Sequence, residues 1–179
     1  GLHPRFDGAP ARDLLERAKQ QGTTVTCDVI AASADTLAAL EPILPFVDYF
    51  MPTAEEARAI ASKPTAAEAA RVFLDLGAGA CVFKDGARGS QVFANGSEKR
   101  VAALVVDVVD TTGCGDAYCA GFVAALSRGA DVDAACRFAS GTAALVATGL
   151  GSDAGVESYE ATAQTIERLS ERPIDQEGA

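Results

Sequence analysis

An α/β fold with a mostly parallel sheet is predicted for this chain by three observations. Short β-branched or apolar runs alternate with segments of helical periodicity through the first half. An Asn95-Gly96 pair flanked by strand-like runs marks one hairpin in the middle. Polar loops follow the strand-like runs, on the edge where ligands of such sheets collect. Alternating strands and helices bury their apolar faces most simply as helix layers on a sheet.

Each element has its own local reason. Ala11 to Gln21 is helical, with Leu14, Leu15 and Ala18 sharing a face and Gly22 as the stop. "TTVTCDVI" is a short β-branched strand with Asp28 near its end. Asp35 to Leu44 is a second helix running into "PILP", and "FVDYFM" is the next strand. Pro52 and Thr53 then start a helix that carries Glu55 and Glu56 in its first turn. Thr65 caps another helix reaching Leu76, with Glu68 three residues on in a capping-box pattern.

"ACVFK" is a strand, "DGARGS" a glycine-rich turn, and "SQVFANGSEKRVAAL" the hairpin. "VVDVV" is extended and leads into Asp110-Thr-Thr-Gly-Cys-Gly-Asp116. Gly115 to Arg128 and Asp131 to Ala147 are helices rich in small residues, which permit close approach. "TGLGSDAG" is a loop, Ser158 to Ser170 a last amphipathic helix, and "ERPIDQEGA" a polar, frayed tail.

The bulk composition bounds the function. A chain of 179 residues, 49% hydrophobic, suits one domain over 1–179 with a buried core. A net charge of −10 disfavours nucleic acid and anionic membrane as partners, while leaving room for a small anion held by local donors. Five cysteines without a CxxC pair, and one histidine (His3), make a zinc site a poor expectation. Buried thiols in a reducing, cytoplasmic compartment fit better, and no apolar run reaches the ~18 residues that span a bilayer.

The chemistry concentrates in four polar loops at strand ends: Asp28, Pro52–Glu56, Lys84–Gly89 and Asp110–Asp116. In the last, Gly113, Cys114 and Gly115 let successive backbone N–H groups point one way, forming an anion nest at a helix start. Asp116, in that first turn, is placed to orient a hydroxyl and accept its proton while the nest holds a phosphoryl group. Spacing alone leaves a second reading level with this one, in which Asp110 and Thr112 cap a helix and the glycines only make the turn. The pattern GxxxxGK[ST] is absent, as is GxGxxG after a strand.

"VVDTTGCGDAYCAGF" closely resembles the carboxyl-terminal signature of the PfkB (ribokinase-like) carbohydrate kinases, Asp-Thr-x-Gly-x-Gly-Asp. "AKQQGTTVTCDV", "VDYFMPTAEEA" and "VFKDGARGSQV" follow in the family's order, over nearly the whole chain. The resemblance implies a three-layer ribokinase-like α/β/α fold, of which only the carboxyl-terminal part is matched. The family's amino-terminal half, with its lid and sugar-contacting acid, has no counterpart in these residues; "GLHPRFDG" resembles the segment that follows it.

By the same resemblance the chain is an ATP-dependent kinase for an alcohol group of a sugar-like substrate. Asp116 would be the base and Gly113, Cys114 and Gly115 the anion hole. Lys84, Gly86 and Gly89 would line the ATP site, and the 143–151 region would flank the adenine. Glu56, with Thr53, would organise magnesium and its waters around the phosphates. Asp110, Thr112, Gly149 and Gly151 resemble the ligands of a monovalent cation such as K+. Three departures stand out: Thr53 replaces the usual asparagine, Lys84 stands where many members have threonine, and Gly155 offers the cation no side chain. The Lys84 charge either reaches a phosphate or is solvated. Alternative readings are a non-catalytic nucleotide-binding remnant, and a nucleoside or vitamin-precursor kinase. An uncovered sheet edge would favour self-association.

Overall fold

The structure is a computed structural model, and it describes residues 9–30, 32 and 35–173. His3, the "GLHPRFDG" segment and most of the polar tail lie outside the described residues. The chain forms two compact units. One is built on the residues up to Lys84 together with Gln91–Lys99, the other on Asp85–Ser90 together with the residues from Arg100 onward.

The first unit holds α1 (Ala9–Gln20), β1 (Thr26–Cys27), α2 (Thr36–Leu40), β2 (Tyr49–Phe50), α3 (Ala54–Ala61), α4 (Ala66–Asp75) and β3 (Ala80–Lys84). The strands β4 (Ser90–Ala94) and β5 (Ser97–Val101) complete a five-stranded sheet in the order β1-β2-β3-β4-β5. β1, β2 and β3 run parallel, with Thr26 opposite Tyr49 and Tyr49 opposite Ala80. Every residue of β3 is buried, as a central strand covered on both faces requires. Phe50, Phe73, Phe83 and Phe93 form a chain of ring contacts through its core, at centroid separations of 4.7, 6.2 and 5.4 Å. Each such pair adds about 0.5–1.5 kcal/mol beyond its area burial.

Several elements are shorter than their sequence pattern. In "TTVTCDVI" the Val25 N–H donates to the Asp48 carboxylate (2.8 Å), so a side chain takes the place of a ladder partner. Asp48 is itself held by Lys19, whose ammonium lies 2.7 Å from both carboxylate oxygens. At the other end Val29 N–H turns to the Asp28 carboxylate (2.8 Å), which closes the strand. The second helix stops at Leu40 because Pro42 cannot donate to the helical ladder, and the chain continues as a 3-10 turn at Leu44–Phe46. On α1, Leu15 and Ala18 pack on the core with Ala11, whereas Leu14 stays exposed. The hairpin follows its signal: Asn95 and Gly96 both take positive φ (51° and 73°), the two-residue turn that matches strand twist.

The second unit holds α5 (Cys114–Leu126), α6 (Val132–Val146) and α7 (Tyr159–Ile166). The expected extended segment 105–109 joins no strand. Leu104 makes an isolated antiparallel bridge to Glu171, and Val109 N–H donates to the Ala147 carbonyl (2.7 Å). Small residues do what their pattern promised. A Cβ at Gly121 on α5 would lie 2.5 Å from the Thr142 hydroxyl and 3.0 Å from Ala139 Cα on α6. Gly141 leaves equivalent room for Ile166 of α7. No helix among the described residues is long and apolar enough to cross a membrane.

Candidate functional site

The Asp110–Asp116 loop enters α5 without a side-chain cap. The N-cap is Gly113, in the left-handed conformation (φ 79°), and no side-chain oxygen bonds the first helical amides. Cys114 N–H donates to the Thr111 carbonyl (3.2 Å) and Ala117 N–H to the Gly113 carbonyl (2.8 Å). The N–H groups of Gly115 and Asp116, which lie between them, have no acceptor among the described residues. Both residues are exposed, and the Asp116 carboxylate stands in the same turn. Two open donors, a helix dipole and a carboxylate therefore share one turn of backbone.

Asp110 does not cap α5. Its Oδ1 accepts from the Thr112 N–H (3.0 Å) and the Thr112 hydroxyl (2.9 Å). The bond from the Thr112 N–H, then that from its hydroxyl, holds the Asp110 carboxyl below the usual carboxylate range, with smaller contributions from the Gly151 and Thr111 amides. Asp110 thus ties the motif to the 148–155 loop. That loop also packs on Gly113, where a Cβ would lie 2.5 Å from Ser152 Cβ and 2.6 Å from Ser152 Cα. Burial raises the Cys114 thiol, followed by the nearby Asp110 charge, so the thiol stays protonated at neutral pH. What Cys114 offers the loop is its backbone.

The turn after β3 needs its glycines equally. Gly86 and Gly89 both take positive φ (55° and 88°), and a Cβ at Gly89 would lie 1.9 Å from the Val101 carbonyl oxygen. Asp85 N–H donates to the Gly89 carbonyl (2.8 Å), and Arg88 forms a forked pair with the Asp85 carboxylate (2.6 and 2.8 Å).

In the first unit, Thr53 and Glu56 form a full capping box at the start of α3. Glu56 Oε2 accepts from the Thr53 N–H (2.9 Å) and the Thr53 hydroxyl (2.7 Å), while Glu56 N–H donates to Thr53 Oγ1 (3.2 Å). Its other oxygen, Oε1, takes no hydrogen bond among the described residues. Lys84 is neither solvated nor pointed at open space. Its ammonium pairs with the Asp28 carboxylate, with side-chain exposures of 10% and 28%. Lys84 lies on β3 and Asp28 follows β1, so the pair reaches across the end of β2.

The structure therefore gathers Asp110, Thr112, Gly113 and Gly151 in one loop pair, with Gly115 and Asp116 one turn on. It sets Thr53 with Glu56 and Lys84 with Asp28 in the other unit. Ser152, which backs Gly113, and Asp28 as the partner of Lys84 were not read as a matched set from the sequence. Asp28's position at a strand end was the available signal for the second; a serine in a loop gave none for the first.

Among the described residues no group of three or more His, Cys, Asp or Glu side chains could hold a metal ion. A magnesium site made only of protein ligands does not fit. A single carboxylate with one open oxygen fits contact with the water shell of a phosphate-bound magnesium, the mode that ion favours. Asp110, an anionic oxygen between two glycine-bearing loops, suits a hard cation in donor type.

Residues 3–158 match the pfkB family of carbohydrate kinases. The chain belongs to that family. The resemblance carried by the Asp110–Asp116 motif is thereby borne out, as is the ribokinase-like α/β fold. The ribokinase of Haemophilus influenzae is 30% identical over 155 residues, covering 84% of this chain and 49% of the relative. The crystal structure of ribokinase from Thermotoga maritima superposes with a TM-score of 0.74 at 28% identity, over 87% of this chain and 52% of that one. Arabidopsis thaliana ribokinase, complexed with ribose and ATP, shares the fold with a TM-score of 0.76 at 23% identity, over 87% of this chain and 51% of that one. The chain spans about half the length of these relatives.

Proposed function

We propose that this chain carries the phosphoryl-transfer machinery of an ATP-dependent kinase acting on an alcohol group of a sugar or sugar-like compound. The observation that carries the reading is the pair of open N–H groups at Gly115 and Asp116, beside an exposed Asp116 carboxylate, at a helix start that no side chain caps. ATP supplies the γ-phosphoryl group. The Gly113–Gly115 backbone and the α5 dipole stabilise the negative charge on its oxygens. Asp116 orients the attacking hydroxyl and takes its proton as the new O–P bond forms and ADP leaves.

The remaining roles follow the family motifs. Gly86 and Gly89 shape a turn lining the nucleotide site. Glu56, aimed by Thr53, would be the group that holds magnesium-bound water. Asp110 and the carbonyls of Thr112, Gly149 and Gly151 are assigned to a monovalent cation. Lys84, paired with Asp28, is assigned with that turn to the nucleotide site.

Calorimetry with ATP and magnesium tests the first step: heat of binding is expected for the wild type and is weakened by Gly115→Val. Asp116→Asn is expected to keep that binding and to abolish ADP release in a coupled assay over ribose, hexoses and nucleosides. Turnover by Asp116→Asn equal to wild type would remove Asp116 as the base. Binding without turnover on any acceptor would favour the second reading, a non-catalytic nucleotide-binding form.

A further inference from the structure

Two buried hydroxyls join the loops assigned to the reaction. Tyr118 lies on α5, two residues after Asp116, and Ser90 opens β4 directly after Gly89. Both belong to the second unit, and they are 5% and 1% exposed. The Tyr118 hydroxyl donates to Ser90 Oγ (2.7 Å). The Cys136 thiol of α6 lies within hydrogen-bonding reach of both. Burial pushes the Tyr118 phenol well above its usual range, so it stays protonated and remains a donor.

A phenylalanine would fill this place on α5 with the same ring and no hydroxyl to satisfy. Replacing both members of a buried polar pair by apolar groups is nearly neutral for stability, whereas removing one strands the other. Such a pair is better suited to fixing a geometry than to holding the fold. Its two ends say which geometry. Ser90 is next in the chain to the Gly86–Gly89 turn, whose backbone is pressed on residues 101–103: a Cβ at Gly89 would also lie 2.7 Å from the Ala103 nitrogen. The Ser140 hydroxyl of α6 donates to the Ala102 carbonyl (3.1 Å), which gives the turn a second buried tether. Tyr118 stands within one helical turn of the open Gly115 and Asp116 N–H groups.

We propose that Tyr118 is a positioning residue of the kinase site: its bond to Ser90 sets the Gly86–Gly89 turn at a fixed distance from the amides and carboxylate at the start of α5. A nucleotide lying along the turn then presents its γ-phosphoryl group to the anion nest in one placement. Buried as it is, Tyr118 acts through Ser90 and takes no part in the chemistry itself. The inference rests on the kinase reading and deepens it.

Tyr118→Phe keeps the ring and deletes the bond, and Ser90→Ala deletes it from the other side. Amide resonances recorded without nucleotide read the coupling. Tyr118→Phe should shift Gly86 and Gly89, and Ser90→Ala should shift Gly115 and Asp116. In calorimetry with ATP and magnesium, each single variant should bind about fivefold or more weakly than wild type. In the double variant, chemical unfolding should return close to wild type while ATP affinity stays reduced. A bond that only holds the fold would restore both together. Shifts confined to the loop that carries the substitution, or an ATP affinity that recovers with stability in the double variant, would overturn the proposal. Cross-loop shifts in a protein that gives no ATP heat would remove the kinase reading and retain the coupling. ATP heat indifferent to all three variants would remove the coupling and retain the reading.

Discussion

Gly113→Ala is the most informative single change, because two separate costs meet at that residue. The first is conformational: φ is +79°, and an L-residue held in the left-handed region loses about 1–2 kcal/mol. The second is steric. The new methyl would sit 2.5 Å from Ser152 Cβ and 2.6 Å from Ser152 Cα, roughly an ångström inside normal contact. Overpacking of that kind costs about 1–3 kcal/mol. Together they come to about 2–5 kcal/mol. Gly129 isolates the first cost, since it has φ +86° and nothing within 4 Å of a built Cβ. Gly129→Ala should lose only about 1–2 kcal/mol.

Urea unfolding of the two variants gives the difference directly, read from a probe in α5. Adding Ser152→Gly to Gly113→Ala removes the nearer clash and should recover part of the loss, while the backbone clash with Cα remains. The displaced loop should also lose ATP affinity in Gly113→Ala and keep it in Gly129→Ala, because only the first shifts the Gly115 and Asp116 amides. Equal destabilisation by the two variants would refute the packing of Gly113 on Ser152, and with it the account of how the motif is held.

Other outcomes follow from the remaining geometry. Thr53→Val removes the hydroxyl from the capping box and should cost about 1–2 kcal/mol in chemical unfolding, with Thr53→Ser near wild type; no loss would mean that the Glu56 contacts are not made in solution. Asp28→Asn takes the carboxylate from a nearly buried ammonium and should destabilise more, by up to about 3 kcal/mol, than Lys84→Met, which leaves the more exposed Asp28 behind; the reverse order in thermal unfolding would refute the burial asymmetry. Asp110 has a lowered folded-state pKa, so its contribution is present above the unfolded carboxylate value and is lost as pH falls through the folded one. The Thr112 amide resonance should therefore titrate below 3.8, and a midpoint at or above that value would contradict its hydrogen bonding to Asp110.

The helices and the hairpin were legible because their signals are local. Thr53, Thr65, Asp131 and Ser158 each sit where a cap was readable, and Asn95-Gly96 leaves few other backbone options. Strand lengths were not legible, since they depend on tertiary partners: Asp48 replaces a ladder acceptor for Val25 from 23 residues away. The fate of "VVDVV" fails for the same reason, because β propensity states a willingness to pair and not a partner. At the site, the glycines and acids of the motif could be read as a set from their spacing. Lys84 could not, because its environment is decided by Asp28, 56 residues earlier.

The unresolved choice in the motif, between a catalytic loop and a capped turn, turns on how this chain starts its other helices. α3, α4, α6 and α7 each close their first turn with a side-chain oxygen, from Thr53, Thr65, Asp131 and Ser158, while the five-residue α2 starts without one. α5 has an acid and two threonines immediately upstream and uses none of them. The Asp110 carboxylate is turned onto Thr112, and the position that would carry a capping oxygen is a glycine forced against Ser152. A cap is worth about 1 kcal/mol, so leaving it out at the 13-residue α5 is a standing cost to folding. Open amides next to an exposed carboxylate are what an anion-binding, proton-accepting site needs, and a turn serving only to start a helix has no use for them.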